Sequence, residues 1–477
     1  MEKFLIRKTP LTETKQIRLL PSFQVEEPML DRLCEEQKIA ARTFCKRENL
    51  FISGPGGTGK SYWIKTMLRI LQKNNVYMPV CALTGCAAIL LGNAKTVHST
   101  FGLGQMKGKK EEIIKKAINN RRVVKRLKKI TGIIIDEVSM MSCYMIEIIE
   151  EIMRGIKKNS DLWGGIQVIF LGDFYQLPPV CTNNNLPESQ FCFESPIWKE
   201  TFTTRNHILF TTMHRQKDPV YQKILNEVRV GNLSEESIEI LSQRQQQELP
   251  IDAMTRLYPK NHIVSRVNQT KYNQLETEET SFTIQPVSNL TNYVETGKEI
   301  PFRELFEYQK ASKYDIENET NRLIRDAPAE SLLELKIGAP VMCTMNIDLE
   351  NGICNGSQGK VIEFRNTPEL GKLPVVRFNN GKTIEMKPYC WQSCENPTLG
   401  VKQIPLRLCW AMSIHKSQGS SMDMVAMDLG GEIFEYGQSY VALSRVRTLE
   451  GVYLQGLKPE RICANPKVLE FYDNIVK

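Results

Sequence analysis

Apolar residues along this chain gather into short, unbroken runs separated by stretches of helical periodicity. Residues 50–53, 78–83, 133–135 and 167–171 lack the polar alternation of a strand with one wet face, so they read as strands buried on both sides. A helical pattern over about residues 30–46 precedes the first of them. Such alternation of strands and helices predicts an α/β fold, with a parallel sheet covered on both faces. Helical patterning dominates again over 219–244. From 336 to 403 the character changes: Gly338, Gly352, Gly356, Gly359, Gly371 and Gly381 punctuate short β-like runs at 359–364 and 373–378. That punctuation predicts a small β module inserted into a second lobe. Apolar strands and helices return from 406 onward. Residues 1–26, with Pro10 and Pro21 and no periodicity, read as an extension, and the polar stretch 276–330 yields no assignment.

Length adds that two lobes are needed, because 477 residues exceed one ordinary core. The longest mostly apolar stretch, 81–91, contains Thr84 and Gly85 and is too short to span a bilayer, so no membrane partner is expected. Met1-Glu2-Lys3-Phe4 opens no signal region, and the 13 cysteines are scattered. Both features favour reduced thiols inside a cell, with nucleus or cytoplasm unresolved. Cys390 and Cys394 come nearest to a metal half-site, but no second Cys/His pair accompanies them, and zinc is not expected. The net charge of +8 is concentrated. Residues 107–129 hold eleven Lys/Arg and two acidic residues, a local net of +9, which leaves the remainder close to neutral. A segment like this can attract phosphates. It equally fits a solvated helix face, since Ile113, Ala117, Val124 and Leu127 recur at helical spacing.

Candidate chemistry starts at Gly54-Pro55-Gly56-Gly57-Thr58-Gly59-Lys60-Ser61, placed between the 50–53 strand and a helical pattern. Glycines there let backbone N–H groups turn inward on phosphate, and the helix N-terminus adds partial positive charge. Lys60 can reach the β and γ phosphates of ATP, and the Ser61 hydroxyl can bind Mg²⁺. Gly54, Gly56 and Gly59 also satisfy a dinucleotide fingerprint. That motif wants an acid about twenty residues on, and 76–83 contains none. The nucleoside triphosphate reading therefore prevails. After the 133–135 strand, Asp136 can hold the metal and Glu137 can accept a proton from attacking water.

Phosphate loops serve many enzymes, so the later segments must choose among them. Trp163-Gly164-Gly165-Ile166-Gln167 and Gly172-Asp173-Phe174-Tyr175-Gln176-Leu177-Pro178-Pro179-Val180 resemble motifs of the Pif-one family of DNA helicases (superfamily 1B, RecD-like). So do Thr84-Gly85-Cys86-Ala87-Ala88, Thr96-Val97-His98-Ser99-Thr100-Phe101-Gly102 and Asp136-Glu137-Val138-Ser139-Met140. Met213-His214-Arg215-Gln216-Lys217-Asp218, Ile414-His415-Lys416-Ser417-Gln418-Gly419 and Tyr440-Val441-Ala442-Leu443-Ser444-Arg445 resemble its later motifs. The match follows the family's order over about residues 30–457.

The resemblance implies two RecA-like lobes with ATP held between them: 27–204, carrying a wedge insertion near 102–129, then 205–344 with 404–477. It places a small β-barrel insertion at 345–403. It implies that Gln37 reads adenine, Gln176 senses the γ phosphate, and Arg215 and Arg445 cross from the second lobe to stabilise the transferring phosphoryl group. Gly419 falls at the nucleotide in the same comparison. Thr84, His98, Ser99, His415 and Lys416 occupy positions that in the family lie along single-stranded DNA. The implied activity is a 5′-to-3′ helicase acting as a monomer on single-stranded and forked DNA. Two other classes remain open at this point: a nucleic-acid-stimulated translocase that unwinds little, and a nucleotide-gated clamp.

Overall fold

The apolar runs assemble into a six-stranded sheet in the computed structural model. It describes residues 22–476, apart from 26, 85–86, 89–90, 92–93, 105, 107–108, 180–188, 246, 248–254, 295–296, 328, 349–350, 352, 354 and 394–395. Of the positions singled out above, 1–21 and 26 of the extension, Gly85, Cys86, Lys107, Val180, Gly352 and Cys394 lie outside the described residues. The strands are β1 (Leu50–Ser53), β2 (Val80–Ala82), β3 (Lys95–Thr96), β4 (Gly132–Asp136), β5 (Gln167–Gly172) and β6 (His207–Leu209). They pair in the order β3-β2-β4-β5-β1-β6, every pair parallel.

Period-two alternation sorts the strand residues between two cores. Leu50, Ile52, Ile134, Ile169 and Leu171 pack with helices Glu35–Cys45 and Lys60–Lys73 on one face. Phe51, Ile133, Ile135, Val168 and Phe170 face helix Cys143–Lys157 on the other. The first helix begins at Glu35, later than its apolar pattern. Leu30 and Leu33 enter the same core from a turn, and Cys34 at the N-cap is extended. The 219–244 pattern divides into Pro219–Val230 and Glu235–Gln245. Gly231 ends the first of these at φ 70°, where a Cβ would lie 2.5 Å from the Ala464 nitrogen.

The basic segment forms helices Lys110–Asn119 and Arg121–Lys129. They sink Ile113, Ala117, Val123 and Leu127 into the first lobe's core, while Val124 packs only at its margin. The helix restarts at Asn120, whose side-chain oxygen accepts from the Val123 N–H, and this break shifts the phase that continuous periodicity had assigned to Val124.

A second parallel sheet is ordered Ala411–Ser413, Arg256–Tyr258, Val425–Leu429, Val452–Leu457. Inserted in sequence between the second sheet's strands Arg256–Tyr258 and Ala411–Ser413 is a five-stranded antiparallel sheet: Thr383–Glu385, Gly371–Phe378, Gln358–Thr367, Pro340–Cys343, Leu406–Leu408. Its strands at 340–343 and 406–408 fall outside the expected 345–403 boundaries. The polar 276–330 stretch is structured as well, with strands Glu279–Thr283 and Gln285–Val287 and helices Phe302–Gln309 and Lys313–Asp326. The last helix, Pro466–Val476, departs from the assignment of 404–477 to the second lobe. Val468 and Tyr472 join the first lobe's core, and Phe471 stacks on Phe193 at 4.3 Å. Among the described residues no helix is long and apolar enough to cross a membrane.

Candidate active site

Parallel strands deliver whatever follows them to one common edge, the usual ligand-binding edge of an open α/β sheet. Here that edge collects the phosphate loop after β1, Asp136 and Glu137 at the end of β4, and the 173–176 loop after β5. Thr84 follows β2 and the short helix Val97–Phe101 follows β3, so His98 and Ser99 stand farther along the same edge.

The phosphate loop depends on its glycines. Gly57 and Gly59 take φ of 92° and 82°, and a Cβ on Gly54 would lie 2.5 Å from the Phe210 carbonyl oxygen. Lys60 Nζ donates to the Gly54 and Pro55 carbonyls at 2.6 and 3.0 Å. Burial pushes its ammonium below the usual lysine range, while Asp173, Glu137 and Asp136 pull it up. Thr58 is buried, and its hydroxyl donates to the Pro55 carbonyl at 2.9 Å. Gln37, also buried, donates from Nε2 to the Thr58 carbonyl at 3.1 Å and so sits against the loop. Ser61 is exposed in the first turn of its helix.

Asp136 is buried, and its carboxyl is pushed up to about 7 by that burial and then by the charge of Glu137. A divalent cation would favour the ionised form, and a carboxylate with the Ser61 hydroxyl supplies hard oxygen donors suited to Mg²⁺. Glu137 has left-handed backbone angles (φ 59°, ψ 39°). Its carboxylate accepts from Gln418 Nε2 at 3.0 Å, and that amide also lies 3.5 Å from Gln176 Oε1. The described site thus links the expected proton acceptor and the expected γ-phosphate sensor through one second-lobe side chain.

Arg215 and Arg445 meet the loop from the second lobe. A Cβ on Gly56 would lie 3.4 Å from Arg445 Nη2, and one on Gly57 would lie 2.7 Å from the Arg215 Cβ. Tyr440 accepts from the Gly56 N–H at 2.8 Å. Arg215 donates from Nη1 to the Ser444 carbonyl at 2.9 Å, and Arg445 donates from Nε to the Val441 carbonyl at 2.9 Å. Burial, then the neighbouring Arg445, pushes the Arg215 guanidinium down to about 9; burial also lowers Arg445. Among the described residues neither arginine forms a salt bridge with a carboxylate. A half-buried guanidinium and a buried one of like charge are costly to hold together, and an anion seated between them relieves that cost.

The expected nucleic-acid contacts divide between the lobes. Thr84 Oγ1 accepts from the Ala87 N–H at 3.2 Å. Ser99 accepts from Arg322 Nη1 at 2.9 Å, and Arg322 pairs with the buried Glu319 at 2.7 Å. His415 and Lys416 ride on helix Ile414–Ser417, just past a second-sheet strand. The His415 ring lies 6.5 Å from that of Phe434, and burial lowers its pKa; Lys416 is exposed. Gly419 follows at φ 82°.

The sequence pattern of PIF1-like helicases matches residues 32–239, and that of the 2B domain of the DNA helicase Pif1 matches 320–364. The ATP-dependent DNA helicase Pif1 of Bdellovibrio bacteriovorus is 33% identical over 95% of this chain and 93% of its own length. The chain belongs to the PIF1-like helicase family. As a member it is an ATP-dependent DNA helicase. The ATP-dependent DNA helicase PIF1 of Danio rerio is also 33% identical, over 94% of this chain, which spans 65% of that longer protein. Among solved structures, Pif1 helicase from Candida albicans superposes with TM-score 0.70 at 30% identity, covering 93% of this chain and 99% of that one. Pif1 from Bacteroides in complex with ADP-AlF3 and single-stranded DNA gives TM-score 0.61 at 25% identity, covering 93% and 96%.

Within this family site, sequence reasoning missed Gln418, Tyr440, Arg229 and Arg322. Gln418 and Tyr440 stand inside motifs already quoted, where a buried amide or phenol was the available signal. Arg229 gave none: it lies on helix Pro219–Val230 and grips the buried Asp173, with Nη2 to Oδ1 at 2.8 Å and Nε to Oδ2 at 3.0 Å.

Proposed function

We propose that this chain hydrolyses ATP with Mg²⁺ in the cleft between its lobes and uses each cycle to move 5′-to-3′ along single-stranded DNA, separating duplex or structured DNA ahead of it. What supports the reading most is the convergence of Arg215 and Arg445 on Gly56 and Gly57, with Gln418 of the same lobe bonded to Glu137.

In this account the N–H groups of residues 54–61 cradle the phosphates, and Gln37 and Gly419 border the nucleotide. Lys60 binds the β and γ phosphates; Ser61 and Asp136 hold the metal. Glu137 accepts the proton of the attacking water, and Gln176 senses the γ phosphate. Arg215 and Arg445 stabilise charge on the transferring group, a task to which their planar forks are suited. In comparable phosphoryl transfers one such arginine contributes about 10³–10⁵ in rate.

Thr84, His98 and Ser99 touch the strand from one lobe, and His415 and Lys416 touch it from the other. Their groups suit phosphate contact without reading base identity. Arg322, already bonded to Ser99, joins them. The basic helices in 102–129 act as the strand-separating wedge and the β module as the barrel closing over DNA. The protein works inside a cell, as a monomer.

Unwinding of matched forks with a 5′ or a 3′ single-stranded tail, with ATP and Mg²⁺, tests this. Opening of the 5′-tailed fork alone is expected. Preference for the 3′ tail overturns the polarity, and DNA-stimulated ATP hydrolysis without strand separation leaves a translocase.

A further inference from the structure

Tyr472, on the helix that returns from the second lobe, ends directly behind the phosphate loop. Its hydroxyl accepts from the Phe174 N–H at 3.1 Å and shares a hydrogen bond of 2.5 Å with Ser53 Oγ. Ser53 is the last residue of β1, immediately before Gly54, and Phe174 precedes Gln176 by two residues. Ser53, Phe174 and Tyr472 are all buried. β1 and β5 are paired only as far as Ser53 and Gly172; past that point the two chains enter separate loops. The phenol spans the place where the sheet stops holding them in register.

The Tyr472 ring stacks on Tyr175 at 4.7 Å, nearly parallel, and the Arg229 guanidinium lies 4.4 Å from the centre of the Tyr175 ring. Arg229 belongs to the second lobe's helix Pro219–Val230 and is bonded to Asp173 in a fork. A second-lobe arginine, a first-lobe tyrosine and the last helix therefore form one column beside the 173–176 loop.

We propose that Tyr472 is a positioning residue for ATP hydrolysis. Its hydroxyl fixes the start of the phosphate loop relative to the loop carrying Gln176, and the Arg229 column ties that setting to the second lobe. The ground-state phosphates are still bound by loop amides without it. The placement of Gln176 against the γ phosphate is what loosens.

The proposal rests on the phosphate loop and Gln176 serving ATP. Failure of that underlying reading has its own signature, ATP turnover surviving in a folded Lys60→Ala variant. The test is steady-state ATP hydrolysis with saturating single-stranded DNA, alongside thermal unfolding, for Tyr472→Phe, Ser53→Ala and the double variant. Tyr472→Phe keeps the ring and removes only the hydroxyl. Expected is a fall in kcat of about ten-fold with KM for ATP changed by less than about two-fold. Ser53→Ala should lower kcat in the same sense, and the double variant should be no worse than the more impaired single, because both remove one shared bond. Phe471→Leu, which loosens packing on the same helix, should lower the Tm and leave kcat unchanged. Wild-type kcat in Tyr472→Phe overturns the proposal, as does full additivity in the double variant. Should Tyr472→Phe fail to fold, Ser53→Ala decides alone: an unchanged kcat there overturns it.

Discussion

Glu137 combines three features that bear on its role. It has a left-handed backbone, a buried carboxylate neighbour in Asp136, and a hydrogen bond from Gln418 of the opposite lobe. Its assigned task is to accept a proton, and Glu137→Gln removes that capacity while leaving Asp136 for the metal. The variant should bind ATP and Mg²⁺ near normally and hydrolyse about 10²–10⁴-fold more slowly. Nucleotide binding and single-turnover hydrolysis measured on one preparation check this; loss of binding would instead make Glu137 structural. The residues of the phosphate loop were legible in the sequence because backbone chemistry demands glycines at local spacing. Gln418 and Arg229 were not. Their partners Glu137 and Asp173 lie far off in sequence, and only the folded chain brings them together.

Among elements, the central strands were legible from their apolar runs and the edge strands were not. β3 is two residues long, and β6, His207–Leu209, is half-buried throughout. β3 offers no run of apolar residues to read, and at β6 the run is only Ile208-Leu209-Phe210, opened by a histidine. The helices within 276–330 escaped for a related reason: Phe302, Phe306 and Tyr314 on them are exposed, so their large apolar residues do not mark a buried face. β6 carries its own pH signature. His207 sits against Phe51 and Trp198, with neither ring nitrogen hydrogen-bonded, and burial pushes its pKa from 6.5 down to about 4. Between those values the unfolded chain takes up a proton that the folded chain refuses. This group therefore costs nothing above about pH 6.5 and removes stability as pH falls toward 4, by up to roughly 3 kcal/mol. Chemical unfolding at pH 7 and pH 5 should show a larger acid loss in the wild type than in His207→Phe. Equal losses would mean that His207 is not the sensor.

At the scale of the whole molecule, the two parallel sheets place their loop-bearing edges against one cleft. The arginines from one lobe close on the glycines of the other. The order of motifs made this pairing legible in advance. The return of helix Pro466–Val476 to the first lobe was not, because an amphipathic helix does not declare which core it joins. ATP bridging the lobes favours the closed arrangement, and DNA can accelerate hydrolysis only by preferring that same arrangement. Lys416→Ala, at the strand rather than the nucleotide, should weaken single-strand affinity and its salt dependence while basal hydrolysis survives. The most direct test is ATP turnover by Arg445→Ala with and without saturating single-stranded DNA, beside ATP binding to the same protein. The account predicts that stimulated turnover falls by about 10³-fold or more while ATP binding is much less affected. Full DNA-stimulated turnover in Arg445→Ala would contradict a catalytic site shared between the lobes.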